Sequence, residues 1–351
     1  MTLLLDSSEL KTDIANIFVS AGLDPKAAVT VSDSLVEADR LGLASHGCML
    51  ADMYVKRLQA GSVSAVVTPD VVTDTGATAV LDGRHGFGVL SADFAMNMAV
   101  AKAKQFGVGV VSVRHAFHFG TARRFAIAAT EQNCVGIAMC NTRPLMPAPG
   151  GAQRVVGNNP IAIAVPTTDE APLVLDMATS EAAMGKIRMA AKKGEQIPAS
   201  WAVKADGSPT TDPNDAINGM LLPTAGPKGF GLSLSIDLLC GILSGGAMGA
   251  DVMPLYGSAE VPYDCSHVLI AINVDHFGDP STARERVAAF SHHIRDGAKA
   301  PGVERLYTPG EPEWQRRKNW AEQVPMDPSV LKALGELAGD LGTRLKTNSQ
   351  A

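Results

Sequence analysis

The stretch Arg114-His-Ala-Phe-His-Phe-Gly120 closes an apolar run from Val108 to Val113. A strand end that opens into a glycine-containing turn is where α/β enzymes present reactive side chains. Two histidines there offer an acid/base group titrating near neutral pH. A histidine in a turn is also often structural or solvated, so the argument rests on four further segments. Ala44-Ser-His-Gly47 sets a hydroxyl beside an imidazole ahead of a helix, and the same residues would serve as a helix cap with a half-buried histidine. Asn141-Thr-Arg-Pro144 follows an apolar strand, with Gly150-Gly151 and Asn158-Asn-Pro160 nearby. These are ordinary turn residues, yet Arg143 at a strand end is shaped to clamp a carboxylate or phosphate through two parallel hydrogen bonds. Asp176-Met-Ala-Thr-Ser180 follows Leu173-Val-Leu175, where Thr179 or Ser180 would also suit a helix N-cap. Gly226-Pro-Lys-Gly-Phe-Gly231 opens a helix whose N–H groups and dipole can join Lys228 in holding an anion. The plainer alternative there is a glycine-permitted helix entry with an exposed lysine.

The elements that must position these groups alternate between two periods. Asp6-Ser-Ser-Glu9 fits a capping box, with Leu10, Ile14, Ile17 and Phe18 on one helical face. Asp24-Pro25 starts a second helix through about Leu41, and a third follows Ser45-His46-Gly47 and ends at Ala60-Gly61. Strands are predicted at Thr78–Leu81, Val108–Val113, Val135–Cys140, Ile161–Val165, Leu173–Leu175 and Val268–Val274. Helices are predicted near Ser91–Gln105, Thr121–Gln132, Glu181–Lys193, Phe230–Leu243 and Thr282–Arg295. This alternation predicts an α/β fold with a mixed or partly parallel sheet. Pro144–Pro160, Pro198–Pro227 and Pro301–Pro312 read as long loops of the kind that line sites. No G-x-G-x-x-G follows a predicted strand, and no P-loop motif occurs, so neither a Rossmann nor a P-loop protein is expected.

The 351 residues suggest two domains, and 46% apolar against 19% charged residues leaves ample material for cores. A net charge of −6 without a Lys/Arg block disfavours nucleic-acid and anionic-membrane partners. Five scattered cysteines (Cys48, Cys134, Cys140, Cys240, Cys265) without C-x-x-C predict reduced thiols in a cytoplasmic protein, not a disulfide framework or zinc site. Met1-Thr-Leu-Leu-Leu-Asp6 is too short an apolar run for a signal peptide. Phe230 to Ala250 contains Asp237 and several Gly and Ser residues, and reads as a buried helix instead of a membrane span. No metal site is expected, since His115/His118 and His292/His293 have no matched third ligand.

Taken in order, these segments resemble the type-2 malate/L-lactate dehydrogenase family, which contains malate, sulfolactate and ureidoglycolate dehydrogenases, diketogulonate reductase and cyclic-imine reductases. The resemblance runs from the first helices to about Gly310. It rests on Ser45-His-Gly47, His118-Phe-Gly120, Gly157-Asn-Asn-Pro160, Asp176-Met-Ala-Thr-Ser180, Thr210-Thr-Asp-Pro213, Gly226-Pro-Lys-Gly229 and Tyr307-Thr-Pro-Gly310. It implies a non-Rossmann mixed sheet in two intertwined domains, sulfolactate dehydrogenase-like. Residues 1–120 with 276–351 would form the substrate and dimerisation domain, and 121–275 the nicotinamide domain. The implied cofactor is NAD or NADP, the implied acid/base His118, and the implied assembly a homodimer. Cofactor contacts would fall on Thr142, Asp176, Met177, Ala178, Lys228, Pro309, Gly310 and Glu311. Ser45, His46 and Tyr54 would line the substrate side.

One position departs from the family pattern. Relatives such as ureidoglycolate dehydrogenase carry an arginine three residues after the glycine of Ser-His-Gly, where this chain has Leu50. A substrate carboxylate still needs a cation in a partly desolvated site, and Arg143 is the expected replacement, with Leu50 leaving an apolar wall. That wall disfavours malate, whose second carboxylate would want a second cation. The expected function is therefore NAD(P)-dependent hydride transfer at C2 of a small 2-hydroxy/2-oxo acid. The alternative is reduction of a cyclic ketimine such as Δ1-pyrroline-2-carboxylate or Δ1-piperideine-2-carboxylate. From another class, a non-catalytic small-molecule binder would tolerate loss of His118. Arg188, Lys192 and Lys193 after Asp176 would suit a 2′-phosphate, or serve only solubility.

Overall fold

The computed structural model describes residues 2–347, so residue 1 and residues 348–351 at the ends of the expected division lie outside the described residues. A short strand, β1 (Leu3–Asp6), leads into α1 (Ser7–Ser20), whose first N–H groups at Ser8 and Glu9 donate to the Asp6 carboxylate at 2.9 Å. Asp24 caps α2 (Pro25–Arg40) in the same way, with proline in the first turn. Two 3₁₀ turns, Ala44–His46 and Cys48–Leu50, precede α3 (Ala51–Ala60), which Gly61 ends in the left-handed conformation at φ 81°. The chain continues through β2 (Asp70–Thr75), β3 (Thr78–Asp82), α4 (Gly88–Phe106), β4 (Val108–Ala116), α5 (Ala122–Thr130) and β5 (Cys134–Cys140). Next come β6 (Met146–Pro147), β7 (Arg154–Val156), β8 (Ile161–Val165), β9 (Leu173–Met177), α6 (Met184–Lys193), β10 (Ala202–Val203), α7 (Pro213–Asn218) and β11 (Met220–Leu221). The last elements are α8 (Pro227–Ser244), β12 (Cys265–Asn273), α9 (Pro280–Arg295), α10 (Glu311–Trp320), β13 (Gln323–Met326) and α11 (Pro328–Asp340).

The main sheet has the order β2-β3-β4-β12-β5-β8-β9. Strands β3 and β4 run parallel and every other neighbouring pair antiparallel. The mixed α/β sheet is thus present and more antiparallel than the alternation of strands and helices suggested. Its central strand β12 is a continuous apolar run, Val268-Leu-Ile-Ala-Ile272, because helices cover both faces: α4 and α5 on one side, α8 on the other. Gly109 of β4 and Gly136 of β5 both lie in register with Ala271. A Cβ at Gly109 would sit 2.0 Å from the Ala99 carbonyl oxygen, and one at Gly136 would sit 2.2 Å from that of Ala126. This row of minimal side chains lets α4 and α5 seat directly on the sheet.

Helix α8 is not the buried helix its composition suggests. Toward the sheet it turns Gly229, Ser233, Ile236, Asp237, Cys240 and Gly241, while Leu232, Leu234, Leu238, Leu239, Ile242 and Leu243 are exposed. Small and polar groups face inward because the helix lies close to the strands and bonds to their loops. Two expected loops also carry structure. Residues 144–160 contain β6 and β7, and residues 198–227 contain β10, α7 and β11. With α6 they enclose a separate apolar core that includes Met146, Val156, Ile187, Ile197, Ala216 and Leu221. Two-residue strands leave no period to read. Ala183 takes the cap position of α6 and makes no side-chain bond, so neither Thr179 nor Ser180 caps it.

Arg57 of α3 is 1% exposed and fixes the segment that follows α8. Its guanidinium donates to the carbonyl oxygens of Val261 (2.7 Å), Leu255 (2.9 Å) and Pro254 (3.1 Å). The ring of Phe117 lies 5.9 Å from the same group. Replacing Arg57 with Met should therefore lower the unfolding free energy by about 3 kcal/mol, since several charge-assisted bonds to buried carbonyls are lost together. Urea denaturation measures it, and an unchanged midpoint would show that the segment is held by other contacts.

Candidate active site

The substrate-side residues meet where the turn after α2, helix α3 and the end of β4 converge. Asp39 of α2 accepts the Cys48 N–H at 2.8 Å, and a Cβ on Gly47 would lie 2.1 Å from its Oδ1. The glycine of Ser-His-Gly is thus required by the close approach of this carboxylate. The turn it fixes presents Ser45, whose Oγ lies 2.9 Å from His46 Nδ1, and stacks the His46 ring on His118 at 5.7 Å and 24°. His118 Nδ1 is 2.6 Å from the Tyr54 hydroxyl. The Tyr54 ring is packed among Phe18, Phe87 and Phe117 and is 3% exposed. Burial lowers the His118 pKa to about 3, helped by the neighbouring His46 and His267, and burial raises the Tyr54 hydroxyl above its ordinary value. Both groups are therefore neutral across ordinary pH.

His115 goes elsewhere. Its φ is 46°, its Nδ1 lies 2.9 Å from Asp82, and its ring packs on His85. Of the two histidines in the opening motif, only His118 joins the site. Among the described residues, no three or more His, Cys, Asp or Glu side chains are grouped to hold a metal ion.

Arg143, just beyond β5, is half-buried and makes no hydrogen bond or ion pair with the described residues. Burial and the positive charges of Arg154 and Arg188 lower its pKa, while Tyr263 acts in the opposite sense. Tyr263 is buried edge-on against Phe117, the residue before His118. Leu50 does not form the expected apolar wall: it is 1% exposed and belongs to the main core, so it offers almost no surface to a ligand. Arg188, considered above for a 2′-phosphate, instead stacks over Tyr256 at 5.5 Å.

The cofactor-side residues are laced together by backbone and amide bonds. Asn159 is fully buried; its Oδ1 accepts the Thr142 N–H at 2.8 Å and its Nδ2 donates to the Ser233 carbonyl at 2.9 Å. Thr142 Oγ1 accepts the Asn158 N–H at 3.1 Å. Thr179 N–H donates to the Asn158 carbonyl, and Thr224 N–H to that of Thr179. Helix α8 then follows its cap residue Gly226, φ 63°, with no side-chain cap; Lys228 is exposed and has no partner among the described residues. The Thr179 hydroxyl is buried without a partner. An uncapped helix start, a free lysine and an orphaned hydroxyl fit the anionic centre of a dinucleotide. Asp176 accepts the Arg123 N–H at 3.3 Å, and burial raises its pKa to about 6. Met177 and Ala178 are half-buried at the end of β9.

Pro309, Gly310 and Glu311 lie toward the other end of β9. The Pro309 carbonyl accepts the Val174 N–H at 3.0 Å, and Gly310 has φ 86° with Val174 packed against it. Pro309 and Glu311 line a cavity of about 340 Å³ together with Arg295, Arg305 and Trp314. Sequence reasoning missed Asp39, Tyr256, Tyr263 and His267. The last is fully buried and stacked on Phe119 at 4.5 Å, and its one signal was a histidine beside the apolar run of β12.

A family model described as malate/L-lactate dehydrogenase matches residues 5–335. Malate dehydrogenase of Pyrococcus abyssi is 34% identical over 349 residues, covering 97% of this chain and 95% of that protein. Among solved structures, sulfolactate dehydrogenase from Methanocaldococcus jannaschii superimposes with a TM-score of 0.91 at 35% identity, covering 98% of this chain and 99% of that one. Delta1-piperideine-2-carboxylate reductase from Pseudomonas syringae pvar. tomato does so with a TM-score of 0.84 at 28% identity, covering 96% and 100%.

Asp39 gives this site a measurable pH signature. Burial raises its carboxyl from 3.8 to about 6 against the opposing bond from Cys48. A folded-state pKa above the unfolded one favours folding most below pH 3.8, and the advantage is lost as pH rises through about 6. His118 and His267, both lowered to about 3, run the other way over the same range, so the signature must be read as a difference. Asp39→Asn should gain on the wild type by about 2 kcal/mol between pH 4 and pH 7. Parallel stability curves from chemical denaturation would refute it.

Proposed function

Because the chain belongs to the malate/L-lactate dehydrogenase family, we propose that it interconverts a small 2-hydroxy acid and its 2-oxo acid, with His118 as acid/base. It is an oxidoreductase of the kind its relatives represent, working with NAD or NADP. The observation that carries the reading is a neutral imidazole anchored through Nδ1 to a buried phenol.

With Nδ1 engaged by Tyr54, Nε2 is the nitrogen left for substrate. If Nδ1 carries the proton and the phenol oxygen accepts it, the Nε2 lone pair is free to take the hydroxyl proton during oxidation. In the reverse direction Nε2 must be protonated, which the bound substrate's carboxylate favours by placing a negative charge nearby. Arg143 holds that carboxylate and so fixes C2 against the imidazole. The nicotinamide, when bound, exchanges a hydride with C2. Thr142, Thr179 and Lys228 would hold the dinucleotide near its charged centre with Met177 and Ala178 beside it, and Pro309 to Glu311 would meet its far end. Asp176, at the end of the same strand, lies on this side. Ser45, His46 and Tyr54 line the substrate side.

The division into residues 1–120 with 276–351 and residues 121–275 belongs to the same proposal, with the site between them. Five free, buried cysteines suit a reducing compartment such as the cytoplasm, and no helix among the described residues is long and apolar enough to cross a membrane. The proposed assembly is a homodimer. Its basis is α8, which exposes six large aliphatic side chains on one helix, a patch of the kind that marks a protein interface.

Two measurements test this. Purified protein should consume NADH or NADPH with 2-oxo acids, and His118→Ala should lower kcat by about 10²- to 10⁴-fold. Turnover confined to Δ1-pyrroline- or Δ1-piperideine-2-carboxylate would replace the reading with ketimine reduction. Silence with both substrate classes and both cofactors would favour a non-catalytic binder. In sedimentation, the wild type should run at twice the chain mass and Leu238→Lys/Ile242→Lys as a monomer; a monomeric wild type would refute the dimer.

A further inference from the structure

Strand β4 loses its alternation just before the site. Val111 and Val113 turn into the main core, and the next residue to do so is Ala116 instead of His115. The pairing with β12 shows why. Val113 lies opposite His267 and Ala116 opposite Cys265, so three steps along β4 answer two along β12. The extra residue makes a β-bulge, and a bulge puts every later side chain one position out of the regular phase. His118 follows in this shifted frame, and in it reaches the Tyr54 hydroxyl.

The bulge is held in a strained form. His115 has φ 46°, and the turn facing it holds Arg84 at 51° and His85 at 55°. Side chains larger than glycine enter this left-handed region at a cost, and they persist there where the surroundings over-determine them. The determinant is Asp82 at the end of β3. Its Oδ2 accepts Arg114 Nε at 3.1 Å and lies 2.9 Å from His115 Nδ1, so one oxygen grips both residues of the bulge. Its Oδ1 accepts the Arg84 N–H at 2.9 Å and fixes the facing turn. That turn closes on the bulge backbone: Gly83 N–H donates to the Arg114 carbonyl and His85 N–H to that of His115, both at 2.8 Å. Arg114 and His115 are partly exposed, and ion pairs of that kind add little stability. Stability alone therefore does not account for three left-handed residues gathered at one turn.

We propose that Asp82 is a positioning residue for His118: by gripping Arg114 and His115 it holds the bulge whose frame aims the imidazole at the substrate. This rests on the acid/base reading of His118 above and deepens it. It also gives a role to His115, the histidine of the opening motif that stays outside the site. Arg143 leaves from β5 and not from β4, so a disturbed bulge acts on the chemical step more than on the hold of the carboxylate.

The test uses Asp82→Ala in the wild type and in a His115→Gly background. Glycine takes a positive φ without strain, so the grip of the carboxylate matters less there. In the wild type, Asp82→Ala should lower kcat at least about 10-fold and leave KM for a 2-oxo acid within about 3-fold, since a reacting group misplaced by about 1 Å costs up to about 10²-fold. In the His115→Gly background the same substitution should lower kcat less than about 3-fold. Asp82→Asn, which keeps the shape without the charge, should show a smaller loss in the same direction and replaces the alanine variant if that one does not fold. Nitrogen-15 histidine labelling gives a readout that needs no turnover. The His118 imidazole resonances, identified by their loss in His118→Ala, should move in Asp82→Ala and move less when His115→Gly is also present. A kcat that Asp82→Ala leaves unchanged, or lowers equally in both backgrounds, overturns the assignment while leaving the 2-oxo acid reading intact. A wild type that turns over no 2-oxo acid overturns that reading, and His118 resonances unmoved in Asp82→Ala then overturn the positioning role as well.

Discussion

His118 keeps its orientation through one 2.6 Å bond to a phenol buried among Phe18, Phe87 and Phe117, and the rest of the site is organised around that bond. Aromatic packing here does two things at once. It fixes the ring of Tyr54 with contacts that a small shift would lose, and it removes the water that would otherwise solvate a charge on either partner. The imidazole is pushed down to about 3 and the phenol up, opposite shifts with one cause. Neither group ionises at ordinary pH in the free protein, so the bond serves orientation, and the proton chemistry proposed for His118 would fall to the other imidazole nitrogen. The His46 ring stacked above excludes water further without adding charge.

Cations are distributed in contrast to this neutral centre. Several arginines elsewhere are paired with carboxylates: Arg124 with Asp33 and Asp93, Arg295 with Asp169, Arg317 with Glu37. The chain carries an excess of carboxylates, with a net charge of −6, so partners were not scarce. Yet among the described residues Arg143 and Lys228 have no ion-pair partner. A surface ion pair contributes little to stability, whereas an unpaired guanidinium in a half-buried position costs desolvation and needs an offsetting role. Binding a charged ligand is such a role for the half-buried Arg143.

The sequence made the individual motifs legible because each is local. Asp24-Pro25 fixes a helix start with two residues, and Asn141-Thr-Arg143 announces a strand end; both stand where expected. Residues whose roles depend on distant parts of the chain could not be read. Asp39 matters because α2 returns its carboxylate to Cys48 N–H. Leu50 misled for the same reason: its place in a motif pointed to the ligand, while packing drew the side chain into the core. Helix α8 misled through composition, since a helix apolar all round is usually buried, and only the sheet decides which face turns inward.

That inversion of α8 would join the proposed assembly to the proposed chemistry. Its inner face carries Asp237, which accepts Asn141 Nδ2 at 3.1 Å and the Gly249 N–H, while Asn141 Oδ1 accepts the Ser266 N–H at 2.7 Å. One turn earlier, Ser233 Oγ donates to the Gly157 carbonyl and its own carbonyl accepts Asn159 Nδ2. The ends of β5 and β12 and the loop before β8 are therefore registered by polar bonds from a single helix, whose first turn faces the proposed dinucleotide. Polar bonds of this kind hold direction well but add little net stability, and the aliphatic groups that would anchor the helix more firmly are on its outside. A second copy seated on that outer face would supply the missing apolar burial. In such an assembly the subunit contact and the placement of Asn141, Thr142 and Lys228 would depend on one rigid element, so loss of the contact would be felt at the cofactor before it was felt in the sheet.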